Sequence, residues 1–182
     1  LEIVSGKSYA PLTALAYFNN GLSVSGVSLV NNQVTFKSSK PSVAKIKNNI
    51  LYAKDNGSYS LTVSLNSNPA LSSTESYVMS GIKKPKTNIT SVKSKKKKQI
   101  TVSWKNNIKN VTGYEIQYST SKKFTKKTTK TVTAKGKKAK SKTISKLKSK
   151  KTYYVRIRAY KNQSQGEKFY GKYSKTLKIK VK

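Results

Sequence analysis

Apolar and polar residues alternate with a period of two along much of this chain, and the clearest run is residues 151–160. There Tyr153, Val155, Ile157 and Ala159 fall on one face, and Tyr154, Arg156, Arg158 and Tyr160 on the other. The run is rich in β-branched and aromatic residues and free of Gly and Pro, which predicts a central antiparallel strand. The segment 113–119 repeats the pattern, turning Tyr114, Ile116 and Tyr118 inward and Glu115 and Gln117 to solvent. Leu177, Ile179 and Val181 alternate with Lys178, Lys180 and Lys182, while Ile100, Val102 and Trp104 share one side of another strand. Trp104 is the only Trp, a natural centre for the core of a small two-sheet sandwich.

The first half reads the same way. Residues 12–18 are apolar enough for a buried strand, and Val34 and Phe36 alternate with Thr35 and Lys37. Asn48-Asn49 predicts a turn before Leu51 and Ala53, and Asp55-Asn56-Gly57 is the strongest hairpin signal. Tyr59, Leu61, Val63 and Leu65 then lie on one face. The fold class expected is all-β: two tandem β-sandwiches, over 1–82 and 87–182, joined by a linker at 83–86.

Several of these residues carry a resemblance. Trp104, the Gly113–Tyr118 strand, Leu147 six residues before Tyr153, the Tyr-Tyr-Val-Arg-Ile-Arg-Ala-Tyr run and Gly171-Lys172-Tyr173-Ser174 together resemble a fibronectin type III domain, of the lysine-rich sort found in Gram-positive surface proteins. The resemblance implies a tyrosine corner, with Tyr153 bonded back to the turn after Leu147. In the first half, Ser38-Ser39, Pro41-Ser42-Val43-Ala44, Ile46, Leu51, Ala53-Lys54 and Gly57 resemble the bacterial immunoglobulin-like domains of group 2. That family usually carries Trp where this chain has Phe36, and the stretch 66–74 is longer than its pattern. Both resemblances imply an extracellular, non-catalytic protein, secreted or wall-associated. Since the chain opens without Met, it reads as a fragment of a longer secreted protein.

Charge changes the picture most. The chain holds 39 basic and 5 acidic residues; residues 1–85 have 8 and 3 (net +5) and residues 86–182 have 31 and 2 (net +29). The second half therefore projects a field that attracts polyanions. With neither Cys nor His, imidazole and thiol chemistry are missing, and so are the usual zinc ligands. No metal site or cofactor is expected, and no stretch approaches the roughly 20 apolar residues of a membrane span. Gly6-Lys7-Ser8 lacks the first glycine of a phosphate-binding loop, and the Ser-x-x-Lys matches at Ser119 and Ser145 come with no oxyanion motif. No catalytic residue is expected.

Two binding candidates remain. Lys95, Lys96, Lys97 and Lys98 form the densest basic run, suited either to phosphate or sulfate groups or simply to a solvated turn that blocks edge pairing. The outward face of the central strand carries the only two arginines, Arg156 and Arg158, between Tyr154 and Tyr160, with Lys178 and Lys180 expected on the adjoining strand. Arg makes forked contacts to oxyanions and Tyr stacks on sugars. The same residues also serve to cover a sheet by cross-strand pairing. The function expected is a spacer and adhesion fragment whose basic half meets anionic cell-wall polymer, host glycan or a host protein surface, and nucleic acid only non-specifically. The alternative is an accessory region of a secreted hydrolase.

Overall fold

Strands dominate because short alternating runs are separated by Gly, Asn, Pro and Lys-rich turns, leaving no segment with a helical stripe. The computed structural model describes residues 9–19, 24–29, 32–106 and 108–182. The described residues hold sixteen strands, one 3-10 turn at Ser164–Gly166 and no α-helix. The chain divides into two compact units, Leu1–Lys83 and Lys84–Lys182.

In the first unit β1 (Tyr9–Pro11), β6 (Ile50–Ala53) and β5 (Ala44–Lys47) form one sheet in that order, and β4 (Val34–Ser38), β7 (Gly57–Leu65) and β8 (Ser72–Met79) a second. A hairpin of β2 (Ala14–Asn19) and β3 (Val24–Leu29) completes it. Leu12, Val34, Phe36, Val43, Leu51 and Tyr59 share one core. Phe36 fills its position at 8% exposure, and the alternation over β4 holds. The side chains of most of residues 12–18 lie outside those described. Asn48 and Asn49 adopt φ of 50° and 54°, the pair of left-handed residues a tight β5–β6 hairpin needs. Asp55-Asn56-Gly57, expected as a hairpin, is instead a crossover: β6 and β7 lie in different sheets, and Lys54 and Asp55 N–H groups both donate to Val43 O. The real hairpin follows β7, where residues 66–71 turn the chain into β8.

The second unit is a sandwich of two sheets. One has the order β13 (Ser141–Ile144), β10 (Ile100–Trp104), β9 (Ile89–Lys93). The other runs β12 (Thr129–Lys135), β11 (Gly113–Ser119), β14 (Thr152–Asn162), β15 (Lys168–Tyr170), with β16 (Leu177–Lys180) also paired to β14. Ile100, Val102, Trp104, Tyr114, Ile116, Val155 and Ile157 meet between them. The tyrosine corner is present: Lys148 N–H donates to the Tyr153 hydroxyl oxygen at 3.2 Å. Val181 is buried as the alternation predicts, but Leu177 is 36% exposed at the rim of the sheet.

Pro85 and Lys86, expected in a linker, are held in the second unit. Lys172 N–H donates to Pro85 O, and Lys86 bridges Lys172. Gly171 makes this possible, since a Cβ there would collide with Pro85 O.

Candidate functional site

The outward face of β14 is built by register. Arg156 lies opposite Gln117 and Arg158 opposite Glu115 on β11, and each guanidinium reaches across the strand gap. Arg156 donates to Gln117 Oε1 from Nε at 2.9 Å and from Nη2 at 2.7 Å. Arg158 donates to Glu115 Oε1 from Nε at 2.8 Å and from Nη2 at 2.7 Å. Aromatic rings from two loops and from β15 close over both cations. The Arg156 guanidinium lies 4.1 Å from the Phe124 ring centroid and 4.0 Å from that of Tyr173; Arg158 lies 3.6 Å from Tyr170 and 4.6 Å from Tyr173. The result is an alternating ladder: Phe124, Arg156, Tyr173, Arg158, Tyr170.

This overturns one reading of the alternation. Glu115 does not face water: it is buried, because Tyr173 and the Arg158 guanidinium cover it, and the Tyr173 hydroxyl donates to its Oε1 at 3.3 Å. Tyr160, placed on the solvent face of the strand, is only 5% exposed. Its partner across the strand is Gly113, whose missing side chain leaves a notch; a Cβ at Gly113 would lie 2.9 Å from the Tyr160 hydroxyl. Lys168 Nζ, 4.6 Å above the ring, and Tyr170 close it from outside.

Of the other candidate residues, Lys178 pairs with Tyr154, and the two line a shallow cleft of about 540 Å³ with Lys122. Lys180 pairs with Thr152 at the start of the strand. Lys95, Lys96, Lys97 and Lys98 form the exposed turn between β9 and β10, anchored by Lys98 N–H donating to Lys182 O and Leu147 N–H donating to Lys98 O. The structure therefore does not bring the ten candidates into one site, and it spends both arginines internally. Phe124, Tyr170 and Tyr173 were missed, although Arg-x-Arg opposite Glu-x-Gln, with aromatic residues three apart near the C-terminus, was a usable signal.

Titration follows from this enclosure. Burial above all pushes the Tyr173 hydroxyl up to about 12, with Glu115 adding to it and the two arginines opposing. Tyr170 is raised too, by burial and then by Glu115. A phenol whose folded pKa exceeds its unfolded value of about 10 gives a contribution that is complete below that pH and is lost as pH rises. Between pH 10 and 12 the wild type should therefore lose stability relative to Tyr173→Phe, read as a converging difference in urea midpoints. A constant difference across that window would place Tyr173 outside the ladder.

Residues 83–172 match the family model described as fibronectin type III domain. The second unit contains a fibronectin type III domain. The expectation for that half is met at the level of the family. Solved structures with detectable likeness include a myokine structure (20% identity, 52% of this chain and 95% of that one, TM-score 0.38). They also include the chicken CNTN1 FN1-FN3 domains (19% identity, 97% of this chain and 55% of that one, TM-score 0.48). A third is the fn3 domain of human collagen alpha-1(XX) chain (17% identity, 57% and 89%, TM-score 0.42). No curated protein matches the sequence. Fibronectin type III domains are generally non-catalytic modules, typical of extracellular proteins. Among the described residues no group of three or more acidic residues could hold a metal ion. No helix among them is long and apolar enough to cross a membrane.

Proposed function

We propose that this chain is a non-catalytic spacer and adhesion segment of a bacterial surface or secreted protein. In this reading a group 2 immunoglobulin-like module precedes a polycationic fibronectin type III domain that holds anionic wall polymer or host glycan by charge. The carrying observation is the asymmetry of charge: net +29 over residues 86–182 against net +5 over residues 1–85. The ladder sharpens the reading. With Arg156 and Arg158 bonded to Gln117 and Glu115 and stacked between rings, the ligand is left to lysines, which act as point charges without forked geometry. Such contacts release counterions and weaken as salt rises.

The test is binding of the intact chain to teichoic acid, heparin, DNA and a neutral glycan at low and roughly physiological salt. The logarithm of the affinity for the anionic polymers should fall linearly with log salt, and the neutral glycan should not bind. Equal binding of the neutral glycan, or affinity indifferent to salt, would end the electrostatic reading.

A further inference from the structure

The lysines of the fibronectin type III unit are not spread evenly. The strand directions put three loops at the end where β14 begins: residues 94–99 between β9 and β10, 120–128 between β11 and β12, and 145–151 between β13 and β14. Each contributes four lysines. Between the last two loops lies a cleft of about 660 Å³, which also takes in the first residues of β12 and β14. Lys127, Lys130, Lys146, Lys148 and Lys151 rim it, and every one of them is exposed. Its lining includes hydroxyls from Thr120, Thr128 and Ser145 and no carboxylate. The acids of this half are Glu115, paired with Arg158, and Glu167, which lies beyond the other end of β14.

Backbone geometry gives a second observation. Lys98, Lys146 and Lys150, all at this end, have φ of 57°, 60° and 61°. Gly or Asn takes that left-handed conformation more readily than Lys. Of the three, Lys146 lines the cleft, and each puts a lysine where a smaller residue would suit the turn better, so that like charges crowd at a cost in self-repulsion. The floor of the cleft is formed by Tyr118 and Tyr153, each only 8% exposed, with the two rings 6.2 Å apart and tilted against each other. Buried in this way they offer no platform on which a nucleobase could stack.

We infer that this five-lysine cleft is the seat of the polyanion, and that it takes a base-free polymer bearing phosphate or sulfate groups along its backbone. The inference rests on the electrostatic reading above and gives it a place: ammonium groups from two loops and from β12 converge on the chain of oxyanions, and the hydroxyls of the lining are within the same cleft. The Arg–aromatic face of β14 plays no part in binding.

The test compares two variants of the intact chain with equal net charge. One carries Lys130→Gln, Lys146→Gln, Lys148→Gln and Lys151→Gln in the cleft. The other carries Lys105→Gln, Lys109→Gln, Lys137→Gln and Lys138→Gln at the opposite end of the sandwich, where these residues are likewise exposed. All eight side chains being exposed, both variants should fold, which thermal unfolding checks. Binding to inorganic polyphosphate, to heparin and to single-stranded DNA is measured across a salt series. Each lysine in contact contributes about one unit to the slope of log affinity against log salt. The cleft variant should therefore lose about three to four units of slope and the other less than about one, with DNA binding no more tightly than polyphosphate of equal charge. Equal losses in the two variants would overturn the cleft while leaving the general electrostatic reading intact. DNA binding tighter than polyphosphate would overturn the base-free ligand. Wild type that binds no polyanion at all would instead defeat the reading beneath both.

Discussion

Trp104→Ala is expected to destabilise the fibronectin type III unit by about 3–5 kcal/mol, the usual cost of emptying a core of a large aromatic ring. Trp104 closes β10 at 3% exposure, and its ring centroid lies 5.2 Å from that of Tyr114, tilted by 51°. Its indole N–H has no hydrogen-bond partner among the described residues, so packing and burial, and not polarity, account for its hold on the core. Trp104→Phe should therefore cost far less than the alanine variant, because it keeps an aromatic ring against Tyr114. Small domains have only about 5–15 kcal/mol in hand, so the alanine variant should unfold at a much lower urea concentration, in one of the two units only. A loss of stability under about 1 kcal/mol would show that the core does not centre on this residue.

Glu115→Ala should be nearly as damaging. It strands the Arg158 guanidinium, 23% exposed and lodged between two tyrosine rings, without its carboxylate, and it takes the acceptor from Tyr173. Removing one member of a buried pair costs about 3–5 kcal/mol, and the partial exposure here puts the expectation at the lower end, about 3 kcal/mol. Glu115→Gln keeps an acceptor oxygen in place and should recover part of the loss. In a double-mutant cycle with Arg158→Leu, the coupling should exceed about 1 kcal/mol. Additive single effects would mean that the pair is held by the rings alone. These rows of cation and ring show that Arg156 and Arg158 are paired and stacked within the domain itself.

The strands were legible because period-two alternation needs only neighbours in sequence. Tyr153, Val155, Ile157 and Ala159 are all buried, as their spacing predicts. Alternation names the face a side chain leaves from, but not what later covers that face. Glu115 and Tyr160 were misjudged for this reason: Tyr170, Tyr173, Lys168 and the notch at Gly113 come from elsewhere in the chain. Asp55-Asn56-Gly57 shows a similar limit, since a local turn signal cannot say which sheet the next strand will join. The Lys95–Lys98 turn was plain because its four charges are consecutive. The cleft was not, because its lysines belong to segments some twenty residues apart and only the packing of the loops gathers them.

The way residues 177–182 are fastened bears on how the unit resists being pulled. Along β16 the partners are Thr152 with Lys180, Tyr153 with Ile179, Tyr154 with Lys178 and Val155 with Leu177. Past the strand, Lys150 N–H donates to Val181 O, Val181 N–H to Lys151 O, Lys182 N–H to Ser94 Oγ, and Lys98 N–H and Ser149 Oγ to Lys182 O. Residues 85 and 86 are fixed near the opposite end of β14 by Lys172. Tension between those two points runs along the strands, while the bonds that join antiparallel strands lie across them. Load is then shared by the whole row instead of opening it one bond at a time, and under force the unfolding rate, not the equilibrium stability, governs detachment. Pulled between those points, the unit is expected to give way by shear across the whole row and not from one strand end.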